Sequence, residues 1–278
     1  MINALSFDIE DWFQVENLRP LIPRRDWDKY ELRVERNTLK ILDILRKYKT
    51  KATFFVLGWI AERCPKLVRK ISREGNEIAS HGYSHELVYN QTQSQFEEDL
   101  LRSKRILEGI IGKEVLGYRA SNFSITQESI WAIDCLKKCG FKYDSSIFPI
   151  SFHDRYGFKG VSRQTFVFDN GLIEVPLSTV KVFNARLPLA GGAYFRLLPY
   201  SYFRYFYNKL NRNGESFVFF LHPWELDPEQ PRVKIPYKYK IRHYLNLNKT
   251  EVCLKRLLLD FKFETIENLL MKSIGIQR

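Results

Sequence analysis

The sequence predicts an α/β fold, a distorted (β/α) barrel of about seven parallel strands with an inserted β-rich segment. Three observations lead there. Strand-like and helix-like runs alternate with short connections from the N-terminus to Asp144. The acidic, histidine and arginine residues of interest fall where strand runs end. A stretch from Ile150 to Arg196 breaks the rhythm and reads as an insertion.

Asn3 to Phe7 (NALSF) is a short apolar strand that runs into acids. Arg36 to Tyr48 has helical periodicity, with Ile41, Ile44, Leu45 and Tyr48 on one face and Leu42 beside them. Lys51 to Leu57 (KATFFVL) is a buried strand, and Ala61 to Glu74 a helix stopped by Gly75. Glu77 to Ser80 is a strand leading into His81. Gln95 to Ile111 is an amphipathic helix ended by Gly112, Val115 to Tyr118 a strand, Gln127 to Cys139 a helix, and Phe141 to Asp144 a strand. Within the insertion, TFVFD and LIEVPLS are β-like and Gly191-Gly192 marks a turn. Tyr200 to Leu210 resumes as a helix, and Ser216 to Leu221 (SFVFFL) is a buried strand ending at His222. No repeat or linker divides the chain, so residues 1–278 read as a single catalytic domain.

A chain of 278 residues with 45% hydrophobic and 27% charged residues is long enough and apolar enough for a sizeable core. Its formal charge of +12 favours anionic partners. Arg232 to His243 (RVKIPYKYKIRH) concentrates basic and aromatic residues, which suits peripheral contact with an anionic membrane or a lipid-linked precursor, or simply a solvated basic loop. No nucleic-acid motif accompanies the charge. The four cysteines form no CxxC pair; Cys135 and Cys139 read as buried thiols on one helix. No apolar run approaches a membrane span, and no charged leader with an apolar run opens the sequence. The expected location is the cytoplasm, with peripheral contact at the inner membrane as its variant.

His81-Gly-Tyr-Ser-His85 sets two imidazoles four residues apart, a spacing that on a helical turn lets both face one cation. Asp8, Glu10 and Asp11 crowd three carboxylates into four positions, and mutual repulsion would raise their pKa values unless a cation intervened. One carboxylate then completes a two-His, one-carboxylate metal site, and another stays free as a general base. His222, at a strand end, has the chemistry to protonate a leaving amine. The plain alternatives are a solvated acidic loop and satisfied structural histidines. What favours the chemical reading is that three of only five histidines reach one sheet edge with the acids.

In order, SFDIED, SHGYSH, GYRASNF, YDSSIFP and FLHPWELD resemble the five motifs of the NodB-homology polysaccharide deacetylases, carbohydrate esterase family 4. GGAYFRLLPY and HPWELDPEQPR resemble an allantoinase-like, peptidoglycan deacetylase-like branch associated with exopolysaccharide synthesis. The resemblance runs from Leu5 to about Phe263. It implies a Zn2+-dependent N-deacetylase that acts on an N-acetylated glycan and releases acetate. Asp8 would be the base, paired with Arg119, and His222 the acid, oriented by Asp144. Glu10, His81 and His85 would hold the metal, with Asp11 as rival to Glu10 because Ile9 separates what are usually adjacent aspartates. A backbone N–H near Asn122 or Phe123 would steady the oxyanion, although Ser121 replaces the usual proline there. Trp224, Tyr194 and Phe195 are candidates for sugar stacking or for core. Two other functions stay open: hydrolysis of a cyclic amide such as allantoin, and non-catalytic binding of glycan or a membrane surface.

Overall fold

The computed structural model describes residues 1–150, 156–183 and 185–274. Its elements in chain order are β1 (Ile2–Ile9), α1 (Val34–Lys47), β2 (Thr53–Val56), α2 (Gly58–Arg63), α3 (Pro65–Arg73), β3 (Glu77–Ser80), α4 (Gln93–Ile111), β4 (Gly117–Tyr118), α5 (Ala132–Lys138) and β5 (Tyr143–Asp144). There follow β6 (Phe166–Val167), β7 (Ile173–Glu174), β8 (Thr179–Val182), β9 (Ala185–Pro188), α6 (Ala193–Leu197), α7 (Tyr200–Arg212), β10 (Val218–Leu221), α8 (Tyr237–Tyr244), α9 (Leu247–Asp260), β11 (Lys262–Glu264) and α10 (Ile266–Ile274).

The main sheet runs β10-β1-β2-β3-β4-β5-β7-β6, and every step along it is parallel except the last. The barrel expectation therefore holds, with one change of membership. The sequence assigned the whole of 150–196 to an insertion, yet β7 within it pairs parallel to β5 and is a strand of the barrel wall. Two residues are too few to show a period, which is why β7 was hidden. Among the described residues, only β8 and β9 form a separate hairpin sheet. The helix expected over Ala61 to Glu74 is two helices, because Pro65 starts a new one after Cys64. The helix expected from Gln127 is a single turn followed by the shorter α5.

Strand alternation sorts the side chains. Leu5, Phe7 and Ile9 of β1 pack outward against the helices, as do Phe54 and Val56 of β2 and Phe219 and Leu221 of β10. Ala4, Phe55, Ala79, Tyr143, Ile173, Val218 and Phe220 fill the barrel interior. The even-numbered residues of β1 thus point inward, and the row continues past Ser6 to Asp8 and Glu10. Asp11 falls on the other side. It caps the turn Trp12–Gln14 and accepts the Arg33 and Val34 amides at 2.6 and 2.8 Å, at the start of α1.

The Gly191-Gly192 turn bridges the outer edge of β10. Phe220 donates its amide to Ala190 and accepts that of Gly192, at 2.7 and 3.1 Å. Gly191 has φ +119°, and a Cβ there would lie 2.1 Å from the Phe220 carbonyl. Neither the conformation nor the space admits alanine. Gly191→Ala is expected to destabilise by about 3 kcal/mol or more, read as a drop in the thermal unfolding midpoint.

No described helix is long and apolar enough to cross a membrane. The basic stretch Arg232 to His243 is in part α8. Lys234, Lys238 and Lys240 are exposed on it, while His243 is fully buried. Cys64, Cys135 and Cys139 are buried and Cys253 half-buried, all as free thiols.

Candidate active site

The inward row of β1 sets the floor. Asp8 is 1% exposed and takes an ion pair from Arg119, Nη1 to Oδ1, at 2.7 Å. Arg119 follows β4, where Gly117 leaves room for the Tyr143 ring and Tyr118 faces outward, so its guanidinium turns into the barrel. It also donates to Ser6 Oγ, Ser145 Oγ and the Ser145 carbonyl. With every branch of the fork occupied, the guanidinium is fixed, and Asp8 with it.

His81 and His85 do not ride on a helical turn, as their spacing suggested. The segment is a loop with Gly82 at φ +72° and His85 at φ +55°. Asp99 of α4 shapes it by accepting the amides of Tyr83 and Ser84 at 2.7 and 2.9 Å. A Cβ at Gly82 would sit 2.8 Å from that carboxylate. The His81 Nδ1 lies 2.8 Å from the Arg119 carbonyl, which can only accept, so Nδ1 carries the proton and Nε2 presents its lone pair. Burial, with the neighbouring His85, holds the His81 pKa down at about 4.

Glu10, His81 and His85 bring one ligand atom each within 4.8 Å of one another, all buried. Glu10 Oε2 is 2.6 Å from His85 Nε2, yet no aligned hydrogen bond joins them and Oε2 has no other hydrogen-bond partner. Both atoms are buried and lie with His81 in one cluster of ligand atoms. Burial pushes the Glu10 carboxyl up, but His85 and His222 outweigh it and hold it well below the usual range. Three neutral or anionic donors of the His₂Glu type fit a divalent metal with positions left open. Glu10 is thus the carboxylate of the cluster, and Asp11, spent on backbone amides, is not.

His222 follows β10 on the same inward parity. Its Nε2 faces Glu10 Oε1 at 3.5 Å and Asp8 Oδ2 at 3.9 Å. Its Nδ1 is held by Glu225 at 2.7 Å, and Glu225 in turn by Arg196 Nε at 2.7 Å, both carboxylate and guanidinium fully buried. This corrects the expectation that Asp144 orients His222. Tyr143 faces the interior, so Asp144 points to the outer side of the sheet. There it accepts from Ser146 Oγ, which also receives the Ala120 amide, and it shares a buried carboxyl pair with Glu174. Asp144 therefore braces the Arg119 loop. Burial lowers the His222 pKa, but Glu10, Glu225 and Asp8 more than reverse this and raise it to about 9.

These groups line a cavity of about 130 Å³, together with Asn122, Phe123, Tyr194, Phe220 and Trp224. Asn122 and Phe123 have φ of +51° and +54°. The Phe123 amide is spent on the Ala120 carbonyl at 3.0 Å, so of the two nominated donors Asn122 is the better placed. Phe195 is core, packed edge-on against Phe203 and Phe219. Tyr194 is half-buried at the cavity wall, and Trp224 is 5% exposed, too little for a sugar to stack on.

Two family models match, one for polysaccharide deacetylase over residues 27–143 and one for a domain of unknown function, DUF3473, over residues 145–271. Residues 27–143 are thus similar to polysaccharide deacetylases. A peptidoglycan-N-acetylglucosamine deacetylase of Bacillus cereus is 39% identical over 82 residues, 30% of this chain and 38% of the relative. A peptidoglycan deacetylase of Helicobacter pylori is 36% identical over 120 residues, 42% of this chain and 39% of the relative. The chain thus spans about two-fifths of the length of these curated relatives. A crystal structure from Mycobacterium smegmatis, described as a candidate polysaccharide deacetylase, superimposes with a TM-score of 0.65 at 19% identity, covering 100% of this chain and 93% of the other, which establishes the common fold.

The deacetylase match takes in His81, His85 and Arg119, while Asp8 and Glu10 precede it. The match of unknown function contributes Arg196, His222, Trp224 and Glu225. Sequence reading missed Arg196, Glu225 and Asp99. Glu225 stands three residues from His222, a spacing that a short helical turn brings together; Arg196 and Asp99 left no local signal.

Proposed function

We propose that the chain hydrolyses the N-acetyl group of an amino sugar in a glycan and releases acetate, with Zn2+ at Glu10, His81 and His85. What supports this reading most is that a paired carboxylate, Asp8, and a paired imidazole, His222, face the same buried ligand cluster from the adjacent strands β1 and β10. The named activity of the Bacillus cereus relative points the same way.

A bound divalent cation would supply a Lewis acid and a lowered water pKa, to about 7. The residues do the rest. Asp8 Oδ2, free of the Arg119 pair, takes the proton of the attacking water. The Asn122 amide steadies the developing oxyanion. Nδ1 of His222 stays on Glu225, so Nε2 is the atom that hands its proton to the departing amine.

The test is an acetate-release screen of zinc-loaded protein on N-acetylated oligosaccharides and peptidoglycan fragments. Acetate from at least one glycan is expected. Ring opening of a cyclic ureide with no acetate from any glycan would replace this reading with a cyclic-amide hydrolase.

Glu225→Gln should separate orientation from charge. The hydrogen bond to Nδ1 is kept, but a negative neighbour that raises the His222 pKa is lost. A general acid works in its protonated form, below its pKa, so activity falls as pH rises through it. The alkaline limb of the rate profile should therefore move to lower pH than in the wild type. An unmoved limb would remove Glu225 from the proton-transfer account.

A further inference from the structure

We propose that Trp224 is a positioning residue for the metal carboxylate, and that His243 and Gln230 hold it in place. The inference rests on the metal reading above and assigns a role to a residue that the sequence offered only as sugar-stacking or core.

The geometry starts at Glu10. Its two oxygens are treated differently. Oε1 accepts the Trp224 indole N–H at 3.1 Å. Oε2 has no hydrogen bond and faces His85. An indole N–H only donates, so it fixes one carboxylate oxygen and leaves the other as the ligand atom. A free carboxylate would rotate and offer either oxygen, or both. Held at Oε1, Glu10 presents Oε2 alone beside His81 and His85.

The indole is itself held. Its ring stacks with His222 at 5.1 Å and 21°, and with His243 at 4.4 Å and 18°. His243 is fully buried, and Gln230 is 2% exposed. The Gln230 amide nitrogen donates to the carbonyls of Trp224 and Asp227 at 2.8 and 3.1 Å, which turns its Oε1 toward His243. That oxygen lies 2.8 Å from His243 Nε2 and can only accept, so the imidazole plane is locked. One chain of contacts therefore runs Gln230, His243, Trp224, Glu10. Its first three members lie in the segment matched by the family of unknown function, and the inference gives that segment a task in holding the metal.

Partners one step removed from a metal typically change its affinity 10- to 100-fold when lost. Zinc affinity would be measured by competition with a chromophoric chelator on the full chain, alongside thermal midpoints. The proteins are the wild type, Trp224→Phe, His243→Ala, the double variant, and His81→Ala as the ligand-loss control. Trp224→Phe keeps a ring but drops the N–H, and should weaken zinc by ~10- to 100-fold. His243→Ala should weaken it in the same direction. The double variant should be no weaker than Trp224→Phe alone, since His243 acts through the indole. Should Trp224→Phe fail to fold, His243→Ala decides alone. Wild-type zinc affinity in the folded variants, with only the thermal midpoint lowered and zinc lost in His81→Ala, would overturn the inference and leave the metal reading standing. No zinc binding by the wild type would bring down both.

Discussion

Asp8→Asn is expected to lower acetate release at least ~10³-fold while the protein still binds zinc. The amide is nearly isosteric with the carboxylate, so the barrel floor stays filled. What it loses is the capacity to take a proton, and the negative partner of Arg119. That guanidinium is 0% exposed and ion-paired to Asp8 at 2.7 Å. Removing one member of a buried pair leaves an uncompensated charge, which costs about 3–5 kcal/mol. The variant should therefore also unfold at lower temperature, and rates must be compared well below that midpoint. Retention of a tenth of the wild-type rate by a folded, zinc-loaded Asp8→Asn would remove Asp8 as the base.

The second large effect concerns the ligands. His81→Ala should weaken zinc binding by more than ~100-fold, beyond the loss of a partner one step removed from the metal, and abolish acetate release with it. The orientation of His81 is set by the Arg119 carbonyl. Chelator-treated wild type should lose acetate release and regain it when zinc is returned, whereas His81→Ala should not regain it. Undiminished turnover in metal-stripped wild type would end the metal reading.

How much of this was legible in the sequence depended on which periods were long enough to read. β1 is eight residues of clean alternation, and its parity alone puts Asp8 and Glu10 inside and Asp11 outside. That parity was available in the sequence; Asp11 stayed as rival to Glu10 because Ile9 separates what are usually adjacent aspartates. β5 and β7 are two residues each, too short to declare a face, so the sequence could not show that Asp144, expected to orient His222, lies on the outer side. The HxxxH spacing found the right histidines with the wrong backbone. Only positive φ at Gly82 and His85, stabilised from α4 by Asp99, brings them together. Long-range partners left no trace at all. Arg196 meets Glu225 across 29 residues, and sequence proximity carries no hint of it. The FLHPWELD segment was legible as a motif but not as a mechanism. His222 pairs with Glu225 and stacks on Trp224, while Asp227 holds Arg33 at 2.7 Å near the start of α1.

β1 lies between β2 and β10, and its register pairs Leu5 with Phe219. A ribosome adding ~5–20 residues per second needs on the order of 10 s or more to make the second partner after the first. Through that interval one edge of an eight-residue apolar strand, the one that bears Asp8, stands without its neighbour. Such distant pairing makes for slow folding and for nascent chains that aggregate. Yield on overexpression should thus depend on chaperone supply and growth temperature, and Asp8, the residue proposed to start the chemistry, sits in the strand that must wait longest for its wall.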